Sequence, residues 1–404
     1  MDIESKGDLL FLAHRIPYPP NKGDKIRSYH LLSFLARYYR VHVGAFIDDP
    51  EDWQYVSHLQ ALCKGEALLR PLSRNQALFR SLVGLTTKKP LGLAYYQDDS
   101  MTKWVQEIAR CYTLKKVFIF SSTMAQYLKY LPLSLSTIVD FVDVDSEKWR
   151  AYSKTSFLPL SWIYKREANA LLDFEKEIAS QVGASIFVSQ AEAKLFCTLA
   201  PDLSEKIFSI SNGVDIDFFS PDHCFPSPYN PESKVLVFTG AMDYRPNIDA
   251  VVWFTKHIFP KILKEVPSAR FYIVGSHPAK PVRALISHDH IYVTGSVPDV
   301  RPYLAHASGV VAPLRIARGI QNKMLEAMAM AKPILATPEA AEGIELPQAC
   351  HALIGKGIEE LVTKGVNLLQ KGDELNAGKI GRNYVLNNYC WEHHLQSLSQ
   401  LPNK

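Results

Sequence analysis

Along the first half of the chain, short unbroken apolar runs alternate with longer stretches whose apolar positions recur at helical spacing. Residues 9–13 form such a run; a Pro- and Gly-rich loop (16–24) follows, then an amphipathic stretch over 25–38. Strand, loop and helix in that order make the first half of a βαβ unit, and residues 41–46 supply the next strand. Further strand-like runs lie at 117–120, 137–142 and 185–188. A strand buried on both faces reads as a continuous apolar run, so the pattern predicts a parallel, doubly wound α/β sheet. Near the middle the punctuation changes. Ser211-Asn212-Gly213-Val214-Asp215 is a turn signal, and Pro221, Pro226, Pro228 and Pro231 crowd the next stretch. The expected boundary separates a first domain (1–212) from a second (213–381). The second series has strands at 234–239, 270–274, 291–294, 309–312 and 333–336, with a helical segment over 248–265. Two Rossmann-like domains with sheets of similar size, facing across a cleft, are expected, with ligands beyond the carboxyl ends of the strands.

At 404 residues the chain has length for two such domains, each with its own core. Hydrophobic residues at 47% and charged residues at 21% exclude disordered and low-complexity classes. A net charge of +4 is too dilute to indicate nucleic-acid binding. The six cysteines show no CxxC and no His spaced to complete a zinc site, so reduced, structural thiols and no metal are expected. The N-terminus opens acidic, and its five apolar residues are too few for a signal h-region. A cytoplasmic protein is expected, attached if at all to the inner face of the cytoplasmic membrane.

The densest candidate chemistry lies after the strand that ends near Ala312. A loop carrying Arg315, Arg318 and Gly319 leads into a helix expected to start at Ile320 or Gln321 and to run through Asn322, Lys323 and Glu326. A helix N-terminus beside three cations is an anion site, and guanidinium forks suit phosphate oxygens. Glu326, about one turn beyond Lys323, suits ribose hydroxyls. The alternative is solvated arginines with Glu326 paired to Lys323 at i, i+3. After the first strand of the second domain, Gly240 permits close backbone approach and Arg245 stands ready for phosphate; Asn247 is a candidate helix cap.

In the first domain, Gly23 lies among Lys22, Asp24, Lys25 and Arg27 in the loop after the first strand. Neither the dinucleotide fingerprint nor the Walker pattern is present, which argues against nicotinamide and P-loop enzymes. Asp140, Asp143 and Asp145 with Glu147 form a carboxylate cluster that serves as a metal site, a general base, an acceptor edge, or simply caps and salt bridges before a helix. The thirteen histidines show no HxxxH spacing and no clear Asp or Cys partner. Residues 64–129 carry eleven basic residues against four acidic ones, an excess of +7, interleaved with Leu78, Phe79, Leu82, Val83 and Leu85. That mixture suits an anionic membrane surface, or else solvated helix faces.

Several stretches together resemble a known family: 11–27 (FLAHRIPYPPNKGDKIR), 140–149 (DFVDVDSEKW), Asn212-Gly-Val-Asp215, 238–247 (FTGAMDYRPN), and 297–304 (VPDVRPYL) through Glu326-Ala-Met-Ala329. The chain resembles the GT-B glycosyltransferases of family four and, within them, the sugar transferases associated with exosortase (PEP-CTERM) exopolysaccharide loci. The resemblance implies a UDP- or GDP-linked sugar donor on the second domain, a saccharide or lipid-linked acceptor on the first, retention of anomeric configuration, and no cofactor or obligatory metal. It implies that residues 382–404, including a helix over 382–399, cross back onto the first domain. On this reading Gly23, Gly240, Arg245, Arg315, Arg318, Gly319, Ile320, Gln321, Asn322, Lys323 and Glu326 bind donor. Asp24, Lys25, Arg27 and Asp143 bind acceptor, and Asp143, Asp145, Arg245 and Lys323 carry the chemistry. The family's Glu-x7-Glu pattern keeps its second member at Glu326 but has Arg318 at the first, and the family's first-domain histidine has no counterpart near Asp143 and Asp145. The alternatives are a nucleotide-sugar 2-epimerase and a non-catalytic nucleotide-sugar-binding subunit.

Overall fold

A computed structural model describes residues 6–85, 89–287, 290–317, 319–374 and 376–402. The chain forms two compact units, Met1–Ser211 with Leu395–Lys404, and Asn212–His394.

The first unit is built on a seven-stranded parallel sheet: β1 (Asp8–Ala13), β2 (Arg40–Ile47), β3 (Lys64–Pro71), β4 (Leu114–Phe120), β5 (Ser136–Val142), β6 (Ala184–Phe187) and β7 (Ile207–Ser209), in the order β3-β2-β1-β4-β5-β6-β7. The sequence pattern locates β1, β2, β4, β5 and β6. Every residue of 9–13 is fully buried, and Phe11 stacks on Phe118 of β4 at 5.4 Å. Helices on both faces exclude water, so nothing selects for alternation there. The edge strands β3 and β7 went unseen because their residues are mostly half-exposed and carry no continuous apolar run.

The second unit holds five parallel strands: β8 (Lys234–Thr239), β9 (Ala269–Val274), β10 (Ile291–Gly295), β11 (Gly309–Ala312) and β12 (Ile334–Ala336), in the order β10-β9-β8-β11-β12. All five were legible, but the sheets differ in size. The expected single helix over 248–265 is two, Arg245–His257 and Phe259–Glu265, with Pro260 in the first turn of the second, where its missing N–H costs no hydrogen bond. The C-terminal helix expected over 382–399 is also broken. Ala377–Asn388 belongs to the second unit, where Gly378 lies against the Ala331 carbonyl and Arg382 bonds to the Phe219 and Ala329 carbonyls; Cys390 bridges to Val214 before Trp391–Gln396 begins. The stretch grouped with the first unit therefore starts at Leu395 rather than 382.

The basic segment 64–129 does not form one face. It runs through β3, three helices, β4 and a 3-10 helix; Lys116 is buried and Arg70 pairs with Asp98. Among the described residues, no helix is long and apolar enough to cross a membrane.

Candidate functional site

Each sheet reverses its winding once, between β1 and β4 in the first unit and between β8 and β11 in the second, and loops at the carboxyl ends of such neighbours form the natural ligand crevice of an open α/β sheet. In the second unit these loops are 240–244 and 313–321. Gly240 has φ +150°, and a Cβ there would lie 2.8 Å from Asn247 Nδ2 and 3.3 Å from Lys323 Nζ. Its carbonyl oxygen would be 1.7 Å from a Cβ on Gly275, so the loops after β8 and β9 meet backbone to backbone.

Asn247 is not the cap of its helix. It is the third residue of Arg245–His257, buried, donating Nδ2 to the Ala241 carbonyl (2.9 Å) while its Oδ1 accepts from Lys323 Nζ at 2.6 Å. Lys323 is the second residue of the helix Asn322–Ala329, and its ammonium stands 4.0 Å from the Phe238 ring centroid. Desolvation pulls this amine down to about 7, against the opposing pull of the Glu326 charge. Burial likewise pushes the Glu326 carboxyl up to about 7, against Lys323. Among the described residues no carboxylate hydrogen-bonds this lysine, which is held by a neutral amide and a ring face; a phosphate group fits that need.

Other expected donor residues surround this pair unevenly. Arg245 is exposed at the start of its helix, two residues from Asn247, and lines a surface pocket with Ile248, Asp249, Trp253 and Arg315. Arg315 is already engaged: both its Nε (3.0 Å) and Nη2 donate to Asp249, and its guanidinium lies 5.2 Å from the Trp253 ring. Arg315 thus has a carboxylate partner on the neighbouring helix. Arg318 lies outside the described residues. Gly319 adopts φ +63°, which favours glycine, and its backbone is backed by Gly343, where a Cβ would come within 2.5 Å of it. Ile320 is half-buried, and Gln321 Nε2 reaches the Gly319 carbonyl at 3.4 Å. The helix starts at Asn322, slightly later than expected, and Asn322 accepts from Asn212 Nδ2 at 3.3 Å.

In the first unit most expected acceptor cations serve the fold. Lys25 is buried on Asp52 (2.9 and 3.0 Å). Arg27, fully buried, donates to Asp140 (2.8 Å) and to the Ile210 carbonyl (2.8 Å). A charge inside a folded unit demands a carboxylate, and each has one. Gly23 is exposed at a helix start with nothing near its Cβ position. Asp143 and Asp145 both accept from Lys148 (2.7 and 3.0 Å), the salt-bridge alternative read in the sequence; their opposite charges raise the Lys148 pKa despite burial.

Asp24 has different company. It accepts from Arg15 (2.6 Å), lies 3.2 Å from His14 Nε2, and is held well below the usual carboxylate range by these hydrogen bonds and charges despite its burial. His14 stacks on Phe120 and meets Tyr96 edge-on. Its Nδ1 is buried with no protein partner among the described residues. This His–Asp couple at the end of β1 was missed because the partners are ten residues apart; a His-Arg pair directly after the most buried strand was the available signal.

Residues 233–371 match the family model described as glycosyl transferases group 1. The matched residues fall within the second unit. Solved structures similar to the whole chain include Anabaena HepE in complex with UDP and glucose (13% identity, 98% of each chain, TM-score 0.66). Others are sucrose-phosphate synthase from Thermosynechococcus elongatus (14%, 98% of each chain, TM-score 0.68) and WaaG, a glycosyltransferase involved in lipopolysaccharide biosynthesis (16%, 98% of this chain and 100% of that chain, TM-score 0.66). At these identities the likeness establishes the fold, which is GT-B. No curated protein matches the sequence significantly. Gly240, Asn247, Lys323 and Glu326 all lie within the matched residues.

Proposed function

We propose that the chain transfers a sugar from a UDP- or GDP-linked donor to a saccharide acceptor, lipid-linked, in exopolysaccharide or envelope glycan synthesis. The observation that carries this reading is Lys323, a half-buried amine in the segment that matches the group 1 model, whose neighbours are an amide oxygen, an aromatic face and a titrating carboxyl. Breaking the bond between the anomeric carbon and the β-phosphate oxygen develops negative charge on the departing diphosphate. A desolvated ammonium positioned for that charge stabilises the transition state more than the ground state. With Lys323 and Arg245 on the diphosphate, no metal is required. The new bond forms from the acceptor hydroxyl on the same face, and its proton passes to the departing phosphate oxygen, giving retention. Glu326 accepts from donor hydroxyls. The acceptor belongs to the first unit, at the His14–Arg15–Asp24 cluster.

The test is nucleoside diphosphate release from a panel of UDP- and GDP-sugars, with and without a lipid-linked saccharide, in buffer containing EDTA. Acceptor-dependent release, a product with the donor's anomeric configuration, and a roughly hundredfold or greater loss of kcat in Lys323→Ala support the reading. Sugar interconversion without release would favour an epimerase, and thermal stabilisation alone a binding subunit.

A further inference from the structure

The first unit turns large apolar side chains outward at two adjoining places. On the helix Arg74–Gly84, Leu78, Phe79 (69% exposed) and Leu82 form a stripe at helical spacing that faces water, whereas a surface helix ordinarily buries such a stripe. The second place is the turn joining the helices Asp145–Thr155 and Leu160–Gln181. Phe157 and Leu158 stand at its tip, 92% and 81% exposed, with Leu160 and Trp162 (60%) following.

The tip is built, not loose. Ser161 donates its N–H to the Phe157 carbonyl (3.1 Å) and its hydroxyl to the Ser153 carbonyl (2.7 Å), and Trp149 packs against Tyr164 at 5.4 Å. The two places are tied together: Arg166 donates to the carbonyls of Gly84 (3.3 Å) and Lys89 (2.8 Å), and Glu167 accepts from the Leu91 N–H at 2.8 Å. These bonds hold the end of the helix Arg74–Gly84 and the segment after it against the helix Leu160–Gln181, and the charge around both places is one-sided. No Asp or Glu occurs in residues 67–97 or 148–166, while Arg74, Lys89, Lys154 and Lys165 are exposed there.

We propose that these two places dock the protein on an anionic lipid bilayer, with Phe157, Leu158, Trp162 and the Leu78–Phe79–Leu82 stripe entering the interface and the cations meeting lipid phosphates. A second copy is the poorer occupant, because a two-fold contact would set this cationic patch against itself. The inference goes beyond glycosyl transfer and does not depend on it.

Co-sedimentation with vesicles tests it, comparing equal parts phosphatidylcholine and phosphatidylglycerol with phosphatidylcholine alone. The full chain is expected to pellet with the anionic vesicles and at least tenfold less with the neutral ones. The double variant Phe157→Ser, Leu158→Ser should lose roughly a hundredfold in partitioning, about one tenfold step for each large side chain no longer taken out of water. Lys154→Glu with Lys165→Glu should lose about tenfold or more. Both pairs are exposed, so unchanged thermal unfolding is expected of each. Failure of the wild type to pellet, equal binding to both vesicles, or unchanged partitioning of either double variant would overturn the proposal. So would a wild-type dimer in sedimentation velocity that the apolar double variant dissolves.

Discussion

The loops at the two winding reversals both gather cations, yet use them oppositely. After β1, Arg15, Lys25 and Arg27 are each matched to a carboxylate, at Asp24, Asp52 and Asp140. After β8 and β11, Lys323 has no such match in hydrogen-bonding reach among the described residues; it donates to an amide oxygen, and the nearby Glu326 is itself pushed toward neutrality. A cation satisfied inside the fold contributes to stability, and one left wanting is available to a ligand. Counting basic residues around a loop does not separate the two cases. Partners 27 and 113 residues away in sequence decide it.

The largest effect that sharpens this contrast is on stability. Asp140→Ala leaves Arg27 buried without its carboxylate and should cost about 3–5 kcal/mol, read by urea unfolding. Lys323→Met should keep stability within about 1 kcal/mol, because it removes a desolvated charge and keeps the side-chain volume. Equal losses in both variants would erase the contrast. Next is the pH dependence of UDP binding. With the free amine titrating at about 7 and the bound diphosphate favouring its charged form, binding takes up a proton above that pH. Affinity measured by calorimetry should then fall as pH rises through 7, by up to about tenfold per unit, and the slope should vanish in Lys323→Met. The smallest effect is that of Arg315→Ala. An exposed pair with Asp249 is worth about 0.2–1 kcal/mol, so turnover should change only a few-fold; a loss as large as that of Lys323→Ala would restore Arg315 to the diphosphate.

What was legible follows from the same physics. Strands buried on both faces announce themselves as apolar runs, which is why β1 and β8 were found and the edge strands β3 and β7 were not. The glycine-bearing loop at 240 and the lysine-bearing helix at 322 were placed because strand-loop-helix order is local. The bond between Lys323 and Asn247 spans 76 positions and left no trace in spacing. Nor did the burial of Lys25 and Arg27, whose flanking pattern equally suits a solvated, ligand-facing loop. Asp143 and Asp145 were read as chemistry or salt bridges; Lys148, three to five residues on, was in plain view as their partner.

The bare-backbone contacts around the second-unit loops also set terms for engineering the proposed donor site. Gly240 and Gly275 abut with no space for a methyl group, Gly343 presses on the Gly319 backbone, and Gly319 itself holds a left-handed turn. A library that randomises these four positions will return mostly misfolded clones. Diversity belongs instead at Tyr244, Ile316, Ile320 and Gln321, where side chains at least partly open to solvent border the same crevice on a frame that stays put.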